Sequence, residues 1–192
     1  DGTEGDIVSQ NAALTAKIID WILSEGSGDV PKLFKLTGAV TSIAAIVMAV
    51  KEVLEKHPDK PTGITLANSF PTLGFRPGSK PGWGEGGVVG ASGAGTLNIS
   101  YLSLASVAHL GVHISGNGGP MDYKAAADFL ALGVRTVQFC TMVMKYGYGI
   151  IDAPNPGLPP LIAARGIGSV PAPTWSARPP PSHAFIDPTV PA

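Results

Sequence analysis

The chain has 192 residues, 44% hydrophobic and 14% charged, which suits one globular domain able to bury a core. It falls short of the roughly 250 residues of a complete eight-stranded barrel. A net charge of −1 supplies no broad basic field, so nucleic acid and an anionic membrane surface are excluded as electrostatic partners.

Residues 1–6 are acidic and polar, unlike the basic-then-apolar start of a secretory signal. This loop-like start is expected of a fragment, a processed product or one part of a split barrel. Residues 7–24 read as a helix, with Leu14, Ile18, Trp21 and Ile22 sharing one face, ended by Gly26 and Gly28. Residues 32–36 read as a short apolar strand with lysines interleaved. Thr37 and Thr41 stand where they can cap a second helix over residues 41–56, closed by His57-Pro58. The apolar run 43–50 inside it is too short to span a bilayer, which needs about 20 residues.

Residues 63–67 read as the next strand and deliver Asn68 and Ser69 at its end. A glycine- and proline-rich loop over residues 70–95 follows, long enough to be functional. Next come a helix over residues 100–109, a strand over 112–115, and the turn Gly116-Asn117-Gly118-Gly119-Pro120. Another helix covers residues 123–132, with Asp122 placed to cap it. A strand over 136–140 ends at Thr141, and a helix-like stretch begins near Met142. From residue 153 the prolines Pro154, Pro156, Pro159 and Pro160 would interrupt a helix. The resulting expectation is an α/β chain: the C-terminal half of a TIM (β/α)8 barrel, about four parallel strands with helical crossovers. It divides into a partial barrel over residues 1–170 and a Pro-rich extended or disordered tail over 171–192, which includes Pro179-Pro180-Pro181.

The chemistry points to an anion. Ser115-Gly116-Asn117-Gly118-Gly119 ends a strand and precedes a helix. Glycines there let backbone approach a phosphate, and the next helix start adds free N–H groups and partial positive charge. A tight strand-to-helix turn also needs glycine without any ligand, and that reading stays open. One strand later, Gln138-Phe139-Cys140-Thr141 would bring Thr141 beside Gly118 and Gly119 at the C-terminal rim, where the loops after the last two strands of a barrel commonly hold phosphate.

Residues 111–151 resemble the end of the flavin barrel of dihydropyrimidine dehydrogenases, which share their barrel with dihydroorotate dehydrogenases. The resemblance rests on Ser115-Gly116-Asn117-Gly118-Gly119, Ala125-Ala126-Ala127-Asp128-Phe129-Leu130, Thr136-Val137-Gln138-Phe139-Cys140-Thr141 and Met144-Lys145-Tyr146-Gly147-Tyr148-Gly149. Earlier pieces agree in order and more loosely: Phe34-Lys35-Leu36-Thr37 looks like the strand-end lysine segment, Asn68-Ser69 like the asparagine–threonine pair, and Gly86-Gly87 through Ser92-Gly93 like the glycine loop. The resemblance implies an FMN-dependent oxidoreductase. Lys35 would stand near the flavin ring, and Asn68 and Ser69 would bind a planar pyrimidine-like substrate. Gly93, Gly118, Gly119, Cys140 and Thr141 would surround the flavin phosphate.

The match departs from the family in what is missing. The catalytic acid belongs to a loop of the barrel's first half, so no catalytic residue is identified here. One cysteine cannot ligate an iron–sulfur cluster, and it fits a reducing, cytoplasmic setting. Cys140 is also expected to act as a small buried hydrophobe. Lys35 has a second reading as an outward lysine on an alternating strand, and Asn68 as a plain turn residue. His57 is expected in solvent, and His109, His113 and His183 lack metal-ligand spacing. Arg76, Lys80 and Trp83 on the long loop either decorate the surface or close over a substrate. An open half-barrel needs a partner: the missing half on another chain, self-association, or a preceding segment. Two alternatives stand beside the flavoenzyme: a phosphate-binding barrel of another enzyme class, and a non-catalytic subunit that has lost flavin.

Overall fold

A computed structural model describes residues 7–26, 28, 30–74, 88–151 and 156–167. Arg76, Lys80, Trp83, Gly86, Gly87, Pro154, His183 and the tail from residue 171 lie outside them. The order is α1 (Ala12–Glu25), β1 (Lys32–Lys35), α2 (Ile43–Leu54), β2 (Thr62–Leu66), β3 (Phe70–Leu73), β4 (Val88–Ala91), α3 (Leu97–Val107), β5 (Ile114–Gly116), α4 (Tyr123–Ala131), β6 (Thr136–Val137), α5 (Thr141–Tyr146) and α6 (Leu158–Ala164).

Strands β1, β2, β5 and β6 form one parallel sheet in that order, with Lys35 paired to Thr65, Thr65 to Ser115 and Ser115 to Thr136. The order never reverses. With right-handed crossovers, a sheet that winds in one direction keeps its helices on one face, as a barrel does and a doubly wound sheet does not. Helix α1 packs on α2 and α2 on α3. The α/β half-barrel architecture expected from the sequence is therefore present.

Helix-facing strand residues build the core. Ile64, Leu66 and Ile114 are buried against Val47, Val50, Leu104, Val107 and Phe129. Helix α2 is capped by Ser42, whose Oγ accepts the Ala45 N–H at 3.3 Å. The expected caps Thr37 and Thr41 do not serve: Thr37 Oγ1 accepts the Ala39 N–H at 3.1 Å, a turn bond before the helix. Asp122 caps α4 as expected, accepting the Ala125 N–H at 2.8 Å.

The buried face of α1 differs from the stripe that its bulky residues suggest. Thr15, Ile19 and Leu23 are buried, with Ala12 and Ala16 packed beside them. Leu14, Trp21 and Ile22 are exposed, Trp21 by 57%. Small residues let α1 approach α2 closely, so that face turns inward and the bulky one outward; periodicity alone does not rank two apolar faces. His57 is half-buried rather than in solvent, because its Nε2 meets Asp20 Oδ1 on α1 at 2.8 Å. Lys60 Nζ donates to the Leu23 and Gly26 carbonyls, placing a cation at the C-terminal end of α1, where the helix dipole favours one.

Two stretches without expected structure are regular. The ends of the long loop pair as an antiparallel ladder, from Phe70 opposite Ala91 to Leu73 opposite Val88. Beyond residue 156 the chain forms α6 despite its prolines: Pro159 and Pro160 sit in its first turn, where a backbone N–H has no intrahelical acceptor. Helix α6 packs on α4. Arg165 pairs with Asp128, which also accepts from the Tyr101 hydroxyl at 3.1 Å. Burial, reinforced by the Asp128 carboxylate, raises the Tyr101 phenol well above its ordinary range.

Candidate functional site

The C-terminal ends of the four parallel strands meet at one cavity of about 150 Å3. Lys35 is the last residue of β1, and Asn68 and Ser69 follow β2. Gly118 and Gly119 follow β5, and Cys140 and Thr141 follow β6. Gly93, after β4, completes the wall. All eight residues singled out in the sequence line this cavity, with Ser92, Thr96, Asn117 and Pro120 among the others.

Glycine is required here by geometry. Gly93, Gly118 and Gly119 have φ of 77°, 102° and 102°, a region that L side chains rarely adopt. A Cβ on Gly119 would stand 2.8 Å from the Leu97 nitrogen and 2.9 Å from the Gly93 carbonyl, which leaves backbone against backbone. A Cβ on Gly118 would overlap Ser100 Oγ, a fully buried hydroxyl with no hydrogen-bond partner among the described residues. No acceptor among the described residues takes the N–H groups of Gly93, Gly118, Gly119 or Cys140. Unpaired N–H groups around a small cavity suit an anion.

The start of α4 contributes less than its place after the glycine turn suggests. Asp122 already occupies its Ala125 N–H with a carboxylate, which repels a second anion. Cys140 is exposed rather than buried, with its Sγ 4.0 Å from Met144 Sδ. Thr141 Oγ1 donates to Ser92 Oγ at 3.4 Å, tying the loop after β6 to the loop after β4. Lys35 is exposed and makes no hydrogen bond or ion pair among the described residues, so its charge is open to the cavity. Asn68 Oδ1 accepts the Ser69 N–H at 2.9 Å; its turn role is real, and its amide nitrogen stays unengaged among the described residues.

Polar residues beneath the rim received no role from the sequence. Gln138 Nε2 donates to Ser115 Oγ at 2.8 Å and to Thr65 Oγ1 at 3.2 Å, and both hydroxyls are buried. The available signal was a polar residue on each of three strands otherwise rich in apolar ones. A larger groove of about 570 Å3, lined by His57, Lys60, Thr62 and His113 among others, lies at the opposite, N-terminal ends of β2 and β5. In barrels that end serves stability, and chemistry gathers at the other. Among the described residues no group of three His, Cys, Asp or Glu could hold a metal, and no helix is long and apolar enough to cross a membrane.

No protein-family model matches the chain. A stretch of 57 residues is 42% identical to the NAD-dependent dihydropyrimidine dehydrogenase subunit PreA of Escherichia coli (strain K12), and equally to its counterpart in Escherichia coli O157:H7. The match covers 30% of this chain and 14% of each relative. Over that stretch the similarity supports a relation to the dihydropyrimidine dehydrogenase family.

Proposed function

We propose that the chain is the phosphate-side half of an FMN-dependent barrel oxidoreductase acting on a dihydropyrimidine- or dihydroorotate-like ring. The observation that carries this reading is the convergence of all eight candidate residues on one cavity walled by left-handed glycines. At about 150 Å3 that cavity is well below the roughly 300–1,000 Å3 of a whole ligand pocket. It fits the phosphate end of FMN, and the rest of the cofactor would extend over the sheet.

In this reading Gly93, Gly118, Gly119 and Cys140 offer backbone N–H groups to the phosphate, and Thr141 adds its hydroxyl. Bound flavin would supply the hydride acceptor or donor, and the protein would supply position and charge. Lys35 would favour an anionic ring beside it. Asn68 and Ser69 would orient a planar substrate by hydrogen bonds. The missing barrel half would come from a second chain, a preceding segment or a second copy. Leu33, on the sheet face away from the helices, is 56% exposed and marks where that half would lie. Residues 1–170 would form the half-barrel, residues 171–192 a Pro-rich tail, and a cytoplasmic setting would suit the free thiol.

A phosphate-binding barrel of another enzyme class is favoured by one observation, a cavity sized for a phosphate alone. An absorbance spectrum of the native protein, with the intact mass of every chain present, separates the two. Near-stoichiometric flavin bands with a completing polypeptide are expected. A colourless preparation of this chain alone would sink the flavoenzyme reading.

A further inference from the structure

Helix α3 carries three serines, and one behaves unlike the other two. Ser103 Oγ and Ser106 Oγ donate to the Ile99 and Leu102 carbonyls, four residues back, at 2.9 and 2.8 Å. That back-bond is the ordinary recourse of a serine inside a helix. Ser100 does not make it: its Oγ is fully buried and has no hydrogen-bond partner among the described residues. The hydroxyl lies instead against Gly118, where an added Cβ would overlap it. Gly118 lines the phosphate cavity, and Ser100 stands behind it in the wall.

Thr96 lies four residues before Ser100 and so shares its helix face. It is buried as well, and its Oγ1 donates to the Gly93 carbonyl at 2.9 Å. The Gly93 carbonyl and the Leu97 nitrogen are in turn the atoms that a Cβ on Gly119 would meet, at 2.9 and 2.8 Å. The start of α3 therefore touches all three left-handed glycines of the cavity. It is a firm base, because Leu104 and Val107 further along the helix are wholly buried in the core. A buried hydroxyl without a partner lowers stability, and alanine is the better helix former, so Ser100 is not explained by the scaffold. We infer that Ser100, together with Thr96, is a positioning residue of the anion site: the two hydroxyls set the height and tilt of the glycine peptides, so that their N–H groups converge on one phosphate. Both act through the glycines rather than on the ligand. The inference rests on the phosphate reading of the cavity.

The test titrates the native assembly, stripped of flavin, with inorganic phosphate, FMN and riboflavin beside a thermal melt. Ser100→Ala should melt no lower than the parent, because it removes an unpartnered hydroxyl. It should nonetheless bind phosphate and FMN about tenfold more weakly, the scale of one charge-assisted hydrogen bond. Its affinity for riboflavin, which lacks the phosphate, should stay at the parental value. Ser103→Ala should do the reverse, melting lower while binding phosphate as the parent does, since it loses only the bond to Ile99. Thr96→Val should weaken phosphate and FMN binding to a similar degree, and Thr96→Ser, which keeps the hydroxyl, should restore it. Parental phosphate and FMN affinity in Ser100→Ala, or a loss shared equally by riboflavin, would overturn the inference and leave the phosphate reading standing. A parent protein that binds neither phosphate nor FMN would overturn both.

Discussion

Gly93 and Thr141 touch across the rim of the cavity: a Cβ on Gly93 would stand 3.0 Å from Thr141 Cγ2. The contact joins the loop after the β3–β4 ladder to the first residue of α5, so the anion site depends on two segments remote in sequence. Gly93→Ala would place a side chain at φ 77° and push it into Thr141. A loss of about 1–3 kcal/mol in denaturant unfolding is expected, with phosphate affinity falling as the rim opens. Unchanged phosphate binding in the folded variant would separate this contact from the site.

Gly119→Ala should be worse, because its new Cβ meets backbone rather than a side-chain methyl. With φ at 102° and the Leu97 nitrogen at 2.8 Å, the turn after β5 or the start of α3 must move. A cost at or above about 3 kcal/mol is expected. Gly95→Ala is the control. A Cβ there meets nothing within 4 Å, so stability should change by no more than about 1 kcal/mol. Equal effects of the two substitutions on thermal unfolding would contradict the packing described.

Lys35→Gln should leave stability nearly unchanged, since the lysine is exposed and unpaired among the described residues. Affinity for FMN should fall roughly tenfold or more, the scale of one charge-assisted hydrogen bond. Calorimetric titration beside a thermal melt reads both quantities. A large loss of stability with no loss of affinity would assign Lys35 to the scaffold.

Much of the site was legible because strand ends announce themselves. Lys35, Asn68 and Thr141 each stand at or just after the end of a short strand segment, Gly118 lies in the glycine turn that follows another, and parallel topology then carries them to one rim. What stayed hidden depends on packing between remote parts. The choice of the Thr15–Ile19–Leu23 face over the Trp21 face was set by how closely α1 approaches α2. The exposure of Cys140 was set by its place at the cavity, and the pairing of His57 with Asp20 by the same helix contact. Gln138 bridges β2 and β5 from the end of β6, a relation visible only once register is known.

Alkaline pH should reveal the Tyr101–Asp128–Arg165 cluster. Burial and the Asp128 carboxylate disfavour the phenolate in the folded state, so its folded pKa lies above the unfolded value of about 10. Above about pH 10 the unfolded chain releases that proton and the folded chain keeps it; stability then falls as pH rises. Tyr101→Phe should remove that slope, at a cost of about 1 kcal/mol near neutrality for the lost bond to Asp128. An identical alkaline slope in the parent and in Tyr101→Phe would show that Tyr101 does not carry it.

The central claim is that this rim holds the phosphate of a flavin nucleotide, and the most direct measurement is the affinity of the flavin-free native assembly for FMN against riboflavin. The two ligands differ only by the phosphate. Binding of FMN at least about a hundredfold tighter is expected, the scale of two charge-assisted hydrogen bonds. Equal affinities, or no affinity for either, would contradict the account.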